Sequence, residues 1–372
     1  MRNKFTLLLL ASITLSFAQN GAPASPYYDD ISNWSSLSPS ALKSTLETKI
    51  ATTHTNYLTY SEVWDATQVT DLDPNDPTNS NVLLIYGFSS NTCPSSSSDD
   101  NDHRTRNKFS NGGGTSCEWN REHVYAKSLG TPGLNDGGAS DAGEDAHHLR
   151  ACDVDRNNDR SSEKFAAGSG NSGDITSTTW YPGDEWKGDV ARIIMYMYLR
   201  YGSQCLPINV GDGTPVASDA NMIDLFLQWN AEDPVSQYED NRNTYHGNTA
   251  NPFAQGNRNP FIDNPYLATA IWGGPAAENR WPSVFLSAEN FDLASSITVY
   301  PNPTINNTIY ITTTTSLNDV IVYNINGQIV QEIKNPNTIS TDTYQITNLN
   351  SGFYMMKLAS NEGTITKKII VN

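Results

Sequence analysis

The densest cluster of chemically reactive side chains lies between Trp119 and Phe165 and holds three of the six histidines. Glu122 offers a hard oxygen ligand suited to Mg²⁺, and Asn157 offers a second, neutral one. His123 has an unperturbed pKa of roughly 6.5, so a large neutral fraction is available to act as a base. Hydrolysis of a phosphodiester needs a base for the attacking water and positive charge on the phosphate. The cluster therefore predicts metal-assisted hydrolysis of this kind.

Two other metal motifs are excluded in the same segment. An EF-hand loop has ligands at alternate positions, glycine at its sixth position and a bidentate glutamate at its twelfth. Ligand-type side chains do alternate here, at Asp153, Asp155, Asn157 and Asp159. The sixth and twelfth positions, however, are Asn158 and Lys164, and a lysine cannot bind calcium. A zinc-protease site is excluded because no H-E-x-x-H sequence occurs.

The charge balance limits how a nucleic acid could be bound. The chain has 372 residues, with 23 Lys plus Arg against 40 Asp plus Glu and a formal net charge of −17. A basic nucleic-acid coat protein is excluded because the mean field of this molecule repels phosphate. Any chemistry on a polyanion must then depend on a local metal ion or a few arginines. The length allows two domains, and 18 Tyr, 11 Phe and 8 Trp argue against global disorder.

The N-terminus has the features of a secretory signal peptide. Arg2 and Lys4 precede an apolar run from Phe5 to Phe17, and small residues stand at Ser16 and Ala18. We predict a signal peptide over residues 1–18, a mature chain that begins at residue 19, and export from the cytoplasm. No later apolar run reaches 18 residues, so we expect no integral membrane segment.

Export changes the interpretation of the four cysteines, which are Cys93, Cys117, Cys152 and Cys205. An even number in an oxidising compartment predicts two disulfides, with three possible connectivities. We favour Cys93–Cys117, which would close the polar loop between them. The alternative is a structural zinc site using Cys152 with His147 and His148, although no C-x2-C pair supports it.

Local signals predict a mixed set of elements in the first 273 residues. Ser38 and Pro39 are typical of a helix start, and residues 187–201 show the clearest helical periodicity. A further helix is predicted from Ser218, a buried strand at residues 82–86, and an ordered loop at residues 232–272. The fold class expected from these signals is α+β.

The character changes after residue 273. We predict a linker at residues 274–296 and an all-β, sandwich-like domain at residues 297–372, in which Asn326-Gly327 favours a type I′ hairpin. This region resembles the C-terminal sorting domain read by the type IX secretion system. The matching motifs, in order, are Val299-Tyr300-Pro301-Asn302-Pro303, Val322-Tyr323-Asn324-Ile325-Asn326-Gly327, Ser351-Gly352-Phe353-Tyr354 and residues 367–371. The resemblance implies that the type IX secretion machinery is a partner and that the protein is secreted or held at the cell surface.

The reactive cluster, in turn, resembles the endonuclease I family of secreted, non-specific nucleases. The matching motifs are Asn120-Arg121-Glu122-His123-Val124, Asp145-Ala146-His147-His148-Leu149-Arg150, Asn157-Asn158-Asp159-Arg160-Ser161-Ser162, Lys187-Gly188-Asp189-Val190-Ala191-Arg192, residues 255–263 and residues 270–272. They follow the family order and cover roughly residues 40–273. The resemblance implies a catalytic domain at residues 19–273 with a ββα-metal (His-Me finger) site. Two pairs depart from the family pattern, Tyr125-Ala126 and Ala151-Cys152, and they affect local loop shape more than the site.

The resemblance also implies roles for individual residues. His123 would be the general base, and Glu122 and Asn157 would hold Mg²⁺, with Mn²⁺ or Ca²⁺ as alternatives. Water would attack the phosphate, the metal would stabilise the leaving 3′ oxygen, and the products would carry 5′-phosphates. DNA is the expected substrate, RNA a further one, and the chain is expected to be a monomer. An arginine should hold the phosphate opposite the metal; the candidates are Arg121, Arg150, Arg160 and Arg192, and we take Arg150 and Arg160 forward as catalytic.

Other polar residues have simpler interpretations. His147 and His148 are expected to brace the site, and Arg258 to brace a loop. The acidic turn at residues 71–76 is expected to be structural, with a bound cation as its alternative. Neighbouring residues on a strand point to opposite faces, so Glu122 and His123 can share one site only if the strand twists or ends there.

The sequence also leaves open a function without catalysis. A surface binding or adhesion protein could combine acidic loops, export and a sorting tail on a nuclease-like scaffold that has lost its chemistry. The retained Glu122, His123 and Asn157 argue against this alternative, because a binding module has no need of a metal ligand set beside a base.

Overall fold

The computed structural model describes residues 21–90, 101–112, 117–138, 141–285, 297–313, 316–334, 336, 343–360 and 363–372. The predicted signal peptide and Cys93 lie outside the described residues. The chain divides into two compact units between Arg280 and Trp281. Within the described ranges, no helix is both long enough and apolar enough to cross a membrane.

The first unit combines helices with short strands. Its helices are α1 (Pro39–Thr53), α2 (Glu62–Thr70), α3 (Val154–Arg160), α4 (Lys187–Tyr201), α5 (Pro207–Val210), α6 (Asp224–Glu232), α7 (Gln237–His246), α8 (Pro260–Asp263) and α9 (Tyr266–Trp272). Its strands are β1 (Asn81–Leu83), β2 (Thr105–Asn107), β3 (Trp119–His123), β4 (Leu149–Asp153), β5 (Lys164–Phe165), β6 (Gly173–Thr176), β7 (Thr179–Tyr181), β8 (Pro215–Val216) and β9 (Asp219–Ile223). The mixed helix and strand content agrees with the α+β prediction.

Strands β3 and β4 and helix α3 form the part of the fold that carries the reactive cluster. The two strands are antiparallel, with Glu122 opposite Arg150 and His123 opposite Leu149. Helix α3 begins directly after β4, and the Asp153 carboxylate caps it by accepting hydrogen bonds from the first backbone N–H groups of the helix. The alternating acidic segment is thus a strand end and a helix, which agrees with the exclusion of an EF-hand.

The central helix is α4, and most of its length is buried. It has the predicted bounds and ends at Gly202, whose φ is 55°. Helix α1 also begins as predicted, because the Ser38 side chain accepts a hydrogen bond from the Ala41 N–H and Pro39 occupies the first helical position.

Two predictions about where helices lie were wrong. The helix predicted from Ser218 starts only at Asp224, because residues 219–223 pair with β8 as strand β9. The predicted loop at residues 232–272 contains α7, α8 and α9, and α7 starts with a capping box between Ser236 and Glu239. Polar residues dominate α7, so its apolar stripe was too weak to recognise.

The start of the predicted linker packs on the first unit. The Tyr266 N–H donates to the Glu278 carbonyl at 3.0 Å. Arg280 forms an ion pair with Asp240, in which Nη2 lies 2.7 Å from Oδ2, and it also donates to the Ile262 carbonyl. Residues 274–280 therefore belong structurally to the first unit.

The second unit is an all-β sandwich. Its strands are β10 (Ile297–Tyr300), β11 (Ile309–Thr313), β12 (Leu317–Asn324), β13 (Ile329–Lys334), β14 (Thr343–Ile346), β15 (Gly352–Ser360) and β16 (Gly363–Val371). They form a three-stranded sheet in the order β10-β11-β14 and a four-stranded sheet in the order β13-β12-β15-β16. Alternating apolar residues of both sheets form its core, including Ile311, Val320 and Ile369.

The hairpin predicted at Asn326-Gly327 is present, but its turn type differs. Tyr323 pairs with Ile329, and the Asn324 N–H donates to the Gln328 carbonyl at 3.0 Å, so the loop has three residues. Gly327 has a φ of 76°, whereas a two-residue type I′ turn would need positive φ at Asn326 as well. The prediction of a type I′ turn was therefore wrong.

The four cysteines do not form two disulfides, because two of them are free. Cys152 and Cys205 are both free and buried, and the Cys152 thiol donates to the Ile85 carbonyl at 3.4 Å. The Cys93–Cys117 pairing involves a residue outside the described ranges and stays a prediction. The zinc alternative is not supported, since the described residues contain no group of three His, Cys, Asp or Glu side chains that could hold a metal.

Candidate active site

Four of the five predicted site residues line an open cavity of about 390 Å³, and Arg150 does not. The end of β3, the loop after it, the C-terminal part of α3 and Tyr60 line this cavity. Glu122, His123, Asn157, Arg121 and Arg160 are among the lining residues. Strand β3 ends at His123, which is how two adjacent residues come to share one site. The sequence identified this condition, and the structure meets it.

The His123 ring is fixed by a backbone carbonyl. Its Nε2 lies 2.9 Å from the Gly143 carbonyl oxygen, and a carbonyl can only accept, so Nε2 carries the hydrogen. Nδ1 is therefore the nitrogen left with a free lone pair. The Tyr60 ring stacks on the imidazole, with centroids 5.5 Å apart and planes 28° apart.

The environment keeps His123 neutral. Burial, together with the neighbouring His148, holds the pKa of His123 well below its ordinary value, and the hydrogen bond to Gly143 opposes this shift. The His148 ring meets the His123 ring edge-on at 5.3 Å. A neutral imidazole with a free Nδ1 is the form that a general base requires.

Glu122 is almost fully buried and is held through one oxygen. The Tyr86 hydroxyl donates to Oε1 at 2.9 Å, and Arg160 Nη1 lies 3.1 Å from the same atom. Burial raises the pKa of the Glu122 carboxyl, whereas Arg160, the Tyr86 hydroxyl and the backbone N–H of His123 lower it. The Arg160 charge compensates the buried carboxylate.

Asn157 faces the cavity from α3. Its Nδ2 donates to the Asn120 Oδ1 at 2.6 Å, which fixes the amide orientation. Its Oδ1 accepts no hydrogen bond from the described residues. The two halves of the site, β3 and α3, are thus joined directly through this pair of asparagines.

The oxygens available at the cavity fit a hard divalent cation. They are the second carboxylate oxygen of Glu122 and Oδ1 of Asn157, one charged and one neutral. Mg²⁺ is usually held by one or two protein carboxylates together with water and substrate phosphates, rather than by an all-protein cage. A small protein ligand set of this kind suits Mg²⁺ better than a closed structural site.

The four candidate arginines have different surroundings. Arg160 donates to the carbonyls of His123 and Val124 at 3.1 and 3.0 Å and pairs with Glu122, so it fastens the site together. Arg150 does not reach the cavity, because it is buried and donates to Asp189 and to the Tyr238 hydroxyl. The prediction of Arg150 as a phosphate-binding residue therefore finds no geometric support.

Arg192 and Arg121 differ from each other in burial and in their partners. Arg192 is fully buried and bonds both carboxylate oxygens of Glu239. Arg121 lines the cavity, and its guanidinium lies 3.5 Å from the Tyr60 ring centroid and 4.1 Å from that of Trp64. No described carboxylate forms an ion pair with it. Arg121 also donates to the Tyr60 carbonyl, and among the four candidates it is the one that lines the cavity without a paired carboxylate.

Most residues predicted to be structural have structural contacts. His147 Nε2 donates to the Asn257 carbonyl at 3.1 Å, and Arg258 pairs with Asp263. Asp76 accepts hydrogen bonds from the backbone N–H groups of Thr78, Ser80 and Asn81, as an acidic turn requires. These contacts favour the structural interpretation over a bound cation.

The sequence did not reveal Tyr60, Tyr86 or the Gly143 carbonyl. Tyr86 lies 36 residues before Glu122, and no local pattern connects them. A backbone carbonyl has no side-chain signal at all. The family motif around Glu122 indicated where the site lies but not which residues hold the Glu122 and His123 side chains.

Comparison with known proteins gives matches to both units of the chain. The family model described as Endonuclease I matches residues 38–266, and the secretion system C-terminal sorting domain matches residues 298–372. A protein named extracellular ribonuclease from Bacillus subtilis (strain 168) is 38% identical over 273 residues, covering 70% of this chain and 84% of that protein. One of the same name from Bacillus amyloliquefaciens is 39% identical over 262 residues, covering 68% and 79%.

A solved structure of PorZ, a surface component of the type-IX secretion system of Porphyromonas gingivalis, covers 22% of this chain and 12% of that chain at 14% identity. Its TM-score is 0.19, which is too low to support any argument.

Proposed function

The chain belongs to the endonuclease I family, and we propose that it cleaves RNA and DNA by metal-assisted attack of water. It is a nuclease that hydrolyses phosphodiester bonds, and its sorting domain directs export by the type IX system. The observation that carries the proposal is the grouping of Glu122, His123 and Asn157 around one cavity, with His123 Nδ1 free. Strands β3 and β4 and helix α3 would form the ββα-metal (His-Me finger) unit.

His123 would act as the general base. Its Nε2–H is fixed on the Gly143 carbonyl, so Nδ1 would take the proton from the attacking water. The stacked Tyr60 ring would keep the imidazole plane in place during this transfer.

Glu122 and Asn157 would hold the divalent cation, for which we propose Mg²⁺, with Mn²⁺ or Ca²⁺ as alternatives. When bound, the cation would supply positive charge to the scissile phosphate and the leaving 3′ oxygen. Arg160 would position Glu122, because it bonds both that carboxylate and the carbonyl of the neighbouring His123. Arg121 takes the place of Arg150 as the residue proposed to contact the phosphate.

RNA and DNA are both proposed because none of these steps uses a ribose 2′-hydroxyl. The relatives named extracellular ribonuclease support RNA as a substrate. Attack by water leaves a 5′-phosphate, whereas attack by the 2′-hydroxyl would leave a 2′,3′-cyclic phosphate and a 5′-hydroxyl.

We propose that the catalytic domain begins at residue 19 and extends beyond residue 273 to residue 280. The contacts of Glu278 and Arg280 with the first unit support this extension. The linker would then occupy residues 281–296, followed by the sorting domain at residues 297–372.

The test uses the mature full-length chain with a supercoiled plasmid and with a defined RNA, each with Mg²⁺ and with EDTA. We expect nicking of the plasmid and cleavage of the RNA with Mg²⁺, loss of both with EDTA, and 5′-phosphate ends by mass spectrometry. Cyclic phosphate ends, or cleavage that persists in EDTA, would overturn the proposed mechanism.

A further inference from the structure

Tyr86 has a backbone conformation that is unusual for a bulky residue. It occupies the third position of a turn from Leu84 to Gly87, in which the Gly87 N–H donates to the Leu84 carbonyl at 3.0 Å. Its φ is 70°, in the left-handed region that usually selects glycine or asparagine at this position. Such strain persists only where the surroundings enforce it, and it concentrates at functional sites.

The surroundings of Tyr86 do enforce this conformation. The side chain is fully buried, and its ring packs edge-on against Trp180 at 5.8 Å between centroids. The Ser172 hydroxyl donates to the Tyr86 carbonyl at 2.6 Å. A smaller residue would relax the turn but would remove the hydroxyl that donates to Glu122. The conformation thus delivers the Tyr86 hydroxyl to Oε1 of Glu122.

The hydrogen bond from the Tyr86 hydroxyl uses one acceptor site of the Glu122 carboxylate. A carboxylate oxygen has two in-plane acceptor sites. Oε1 of Glu122 is engaged both by the Tyr86 hydroxyl at 2.9 Å and by Arg160 Nη1 at 3.1 Å. Oε1 thus accepts one hydrogen bond and faces the Arg160 charge, so the second oxygen is the one left for a cation.

We propose that Tyr86 and Arg160 confine Glu122 to coordinating a divalent cation through a single oxygen, and so favour Mg²⁺ and Mn²⁺ over Ca²⁺. This inference rests on the proposed function, in which Glu122 is a metal ligand. Ca²⁺ readily takes a bidentate carboxylate and more ligands, whereas the smaller Mg²⁺ keeps a compact shell that includes several waters. Tyr86 is thus a positioning residue that influences metal choice.

The test is Tyr86→Phe in the full-length chain, which removes only the hydroxyl. Binding is measured without nucleic acid, from the electron paramagnetic resonance signal of free Mn²⁺, with Mg²⁺ and Ca²⁺ as competitors. Loss of a partner of a metal ligand typically weakens binding 10- to 100-fold. We expect Mn²⁺ and Mg²⁺ to bind about 10-fold more weakly, and Ca²⁺ to change less because Oε1 becomes available.

A matched control is Tyr28→Phe. The Tyr28 hydroxyl also donates to a buried carboxylate, Asp263 Oδ2, at 2.7 Å, but it does not line the cavity. This variant should keep the wild-type ratio of Mg²⁺ affinity to Ca²⁺ affinity. If Tyr86→Phe keeps it too, the inference is overturned while the proposed function stands. If the wild-type chain binds no Mn²⁺, both are overturned together.

A second measurement does not depend on a folded Tyr86 variant. Infrared difference spectra of the wild-type chain on adding Mg²⁺ report the splitting of the carboxylate stretches, which is wider for a carboxylate bound through one oxygen. Glu122→Gln identifies the band that belongs to Glu122. We expect the wide splitting in the wild type, and a narrow, bidentate splitting with Mg²⁺ would contradict the inference.

Discussion

Arg160 Nη1 lies 3.1 Å from Glu122 Oε1, and the same nitrogen lies 3.1 Å from the His123 carbonyl oxygen. One guanidinium at the end of α3 therefore holds both the proposed metal ligand and the backbone of the proposed base. Its side chain is 1% exposed, so the ion pair is shielded from water and from salt. The last turn of α3 and the end of β3 are thus one structural unit.

Removing Arg160 should destabilise the nuclease unit severely. Arg160→Ala leaves the buried Glu122 carboxylate without its charge partner, and breaking a buried pair costs about 3–5 kcal/mol in the free energy of unfolding. Urea denaturation followed by tryptophan fluorescence measures this loss. Seven of the eight tryptophans lie in the first unit, so the signal reports mainly on that unit.

The matched control is Arg104→Ala. Arg104 also pairs with a glutamate, Glu185, but both side chains are about one-third exposed or more. An exposed pair contributes about 0–1 kcal/mol, so this variant should unfold close to the wild-type urea concentration. Equal losses for the two variants would show that burial of the Arg160 pair has no special importance.

The residue types in the sequence were enough to predict part of this candidate site. Glu122, His123 and Asn157 were recognisable because their types suit a metal and a base, and helix α4 because its apolar period is strong. The prediction for Arg150 finds no geometric support, because a motif shows that an arginine is present but not which carboxylates surround it. In the structure, Asp189 and Tyr238 come from distant parts of the chain to engage it.

The missing parts depend on long-range packing. Tyr86 was predicted within a strand, and the structure has it in a turn with positive φ, a conformation that its residue type disfavours. Gly143 contributes only a carbonyl, whose position is set by the loop before β4. Tertiary contacts fix both features, so a local sequence pattern cannot predict them.

Arg121 is expected to contribute a phosphate contact that salt weakens. Arg121→Gln should lower kcat/KM on the order of 100-fold, as removal of one stabilising donor commonly does. It should also reduce the slope of log KM against log salt concentration by about 1, because one fewer counterion is displaced. Steady-state kinetics on a defined RNA at several salt concentrations measures both quantities.

Arg104→Gln serves as the control for this experiment, since it also removes one positive charge but lies outside the cavity. It should keep the wild-type salt slope. An unchanged slope in Arg121→Gln as well would remove Arg121 from contact with the phosphate.

Stability should fall as the pH drops from about 6.5 to 4, partly because of His147. Burial lowers the pKa of His147 to about 4, against the opposing charge of Asp145. The unfolded chain, with a pKa of roughly 6.5, therefore binds the proton more tightly than the folded one, and acid favours unfolding in this window. The expected contribution is about 3 kcal/mol, fully lost near pH 4.

His147→Gln isolates this contribution, because glutamine can still donate to the Asn257 carbonyl but does not titrate. Other groups titrate in the same range; burial raises the pKa of Asp233 to about 6, which acts in the opposite direction. Such terms cancel when the two proteins are compared. The variant should lose less stability than the wild type between pH 6.5 and 4, and parallel curves would contradict the assignment.

His123 is expected to carry the proton transfer itself. His123→Ala should lower kcat by about 100- to 10,000-fold, the usual range for a general base, and leave the tryptophan-monitored unfolding cooperative. Added imidazole should partly restore the rate, since the cavity beside residue 123 is open to solvent.

His54→Gln is the control, because His54 is buried and stacks on Tyr57 outside the cavity. Its rate should stay close to that of the wild type. Full activity in His123→Ala would exclude His123 as the base, whereas a low rate that imidazole does not restore would leave it a positioning role.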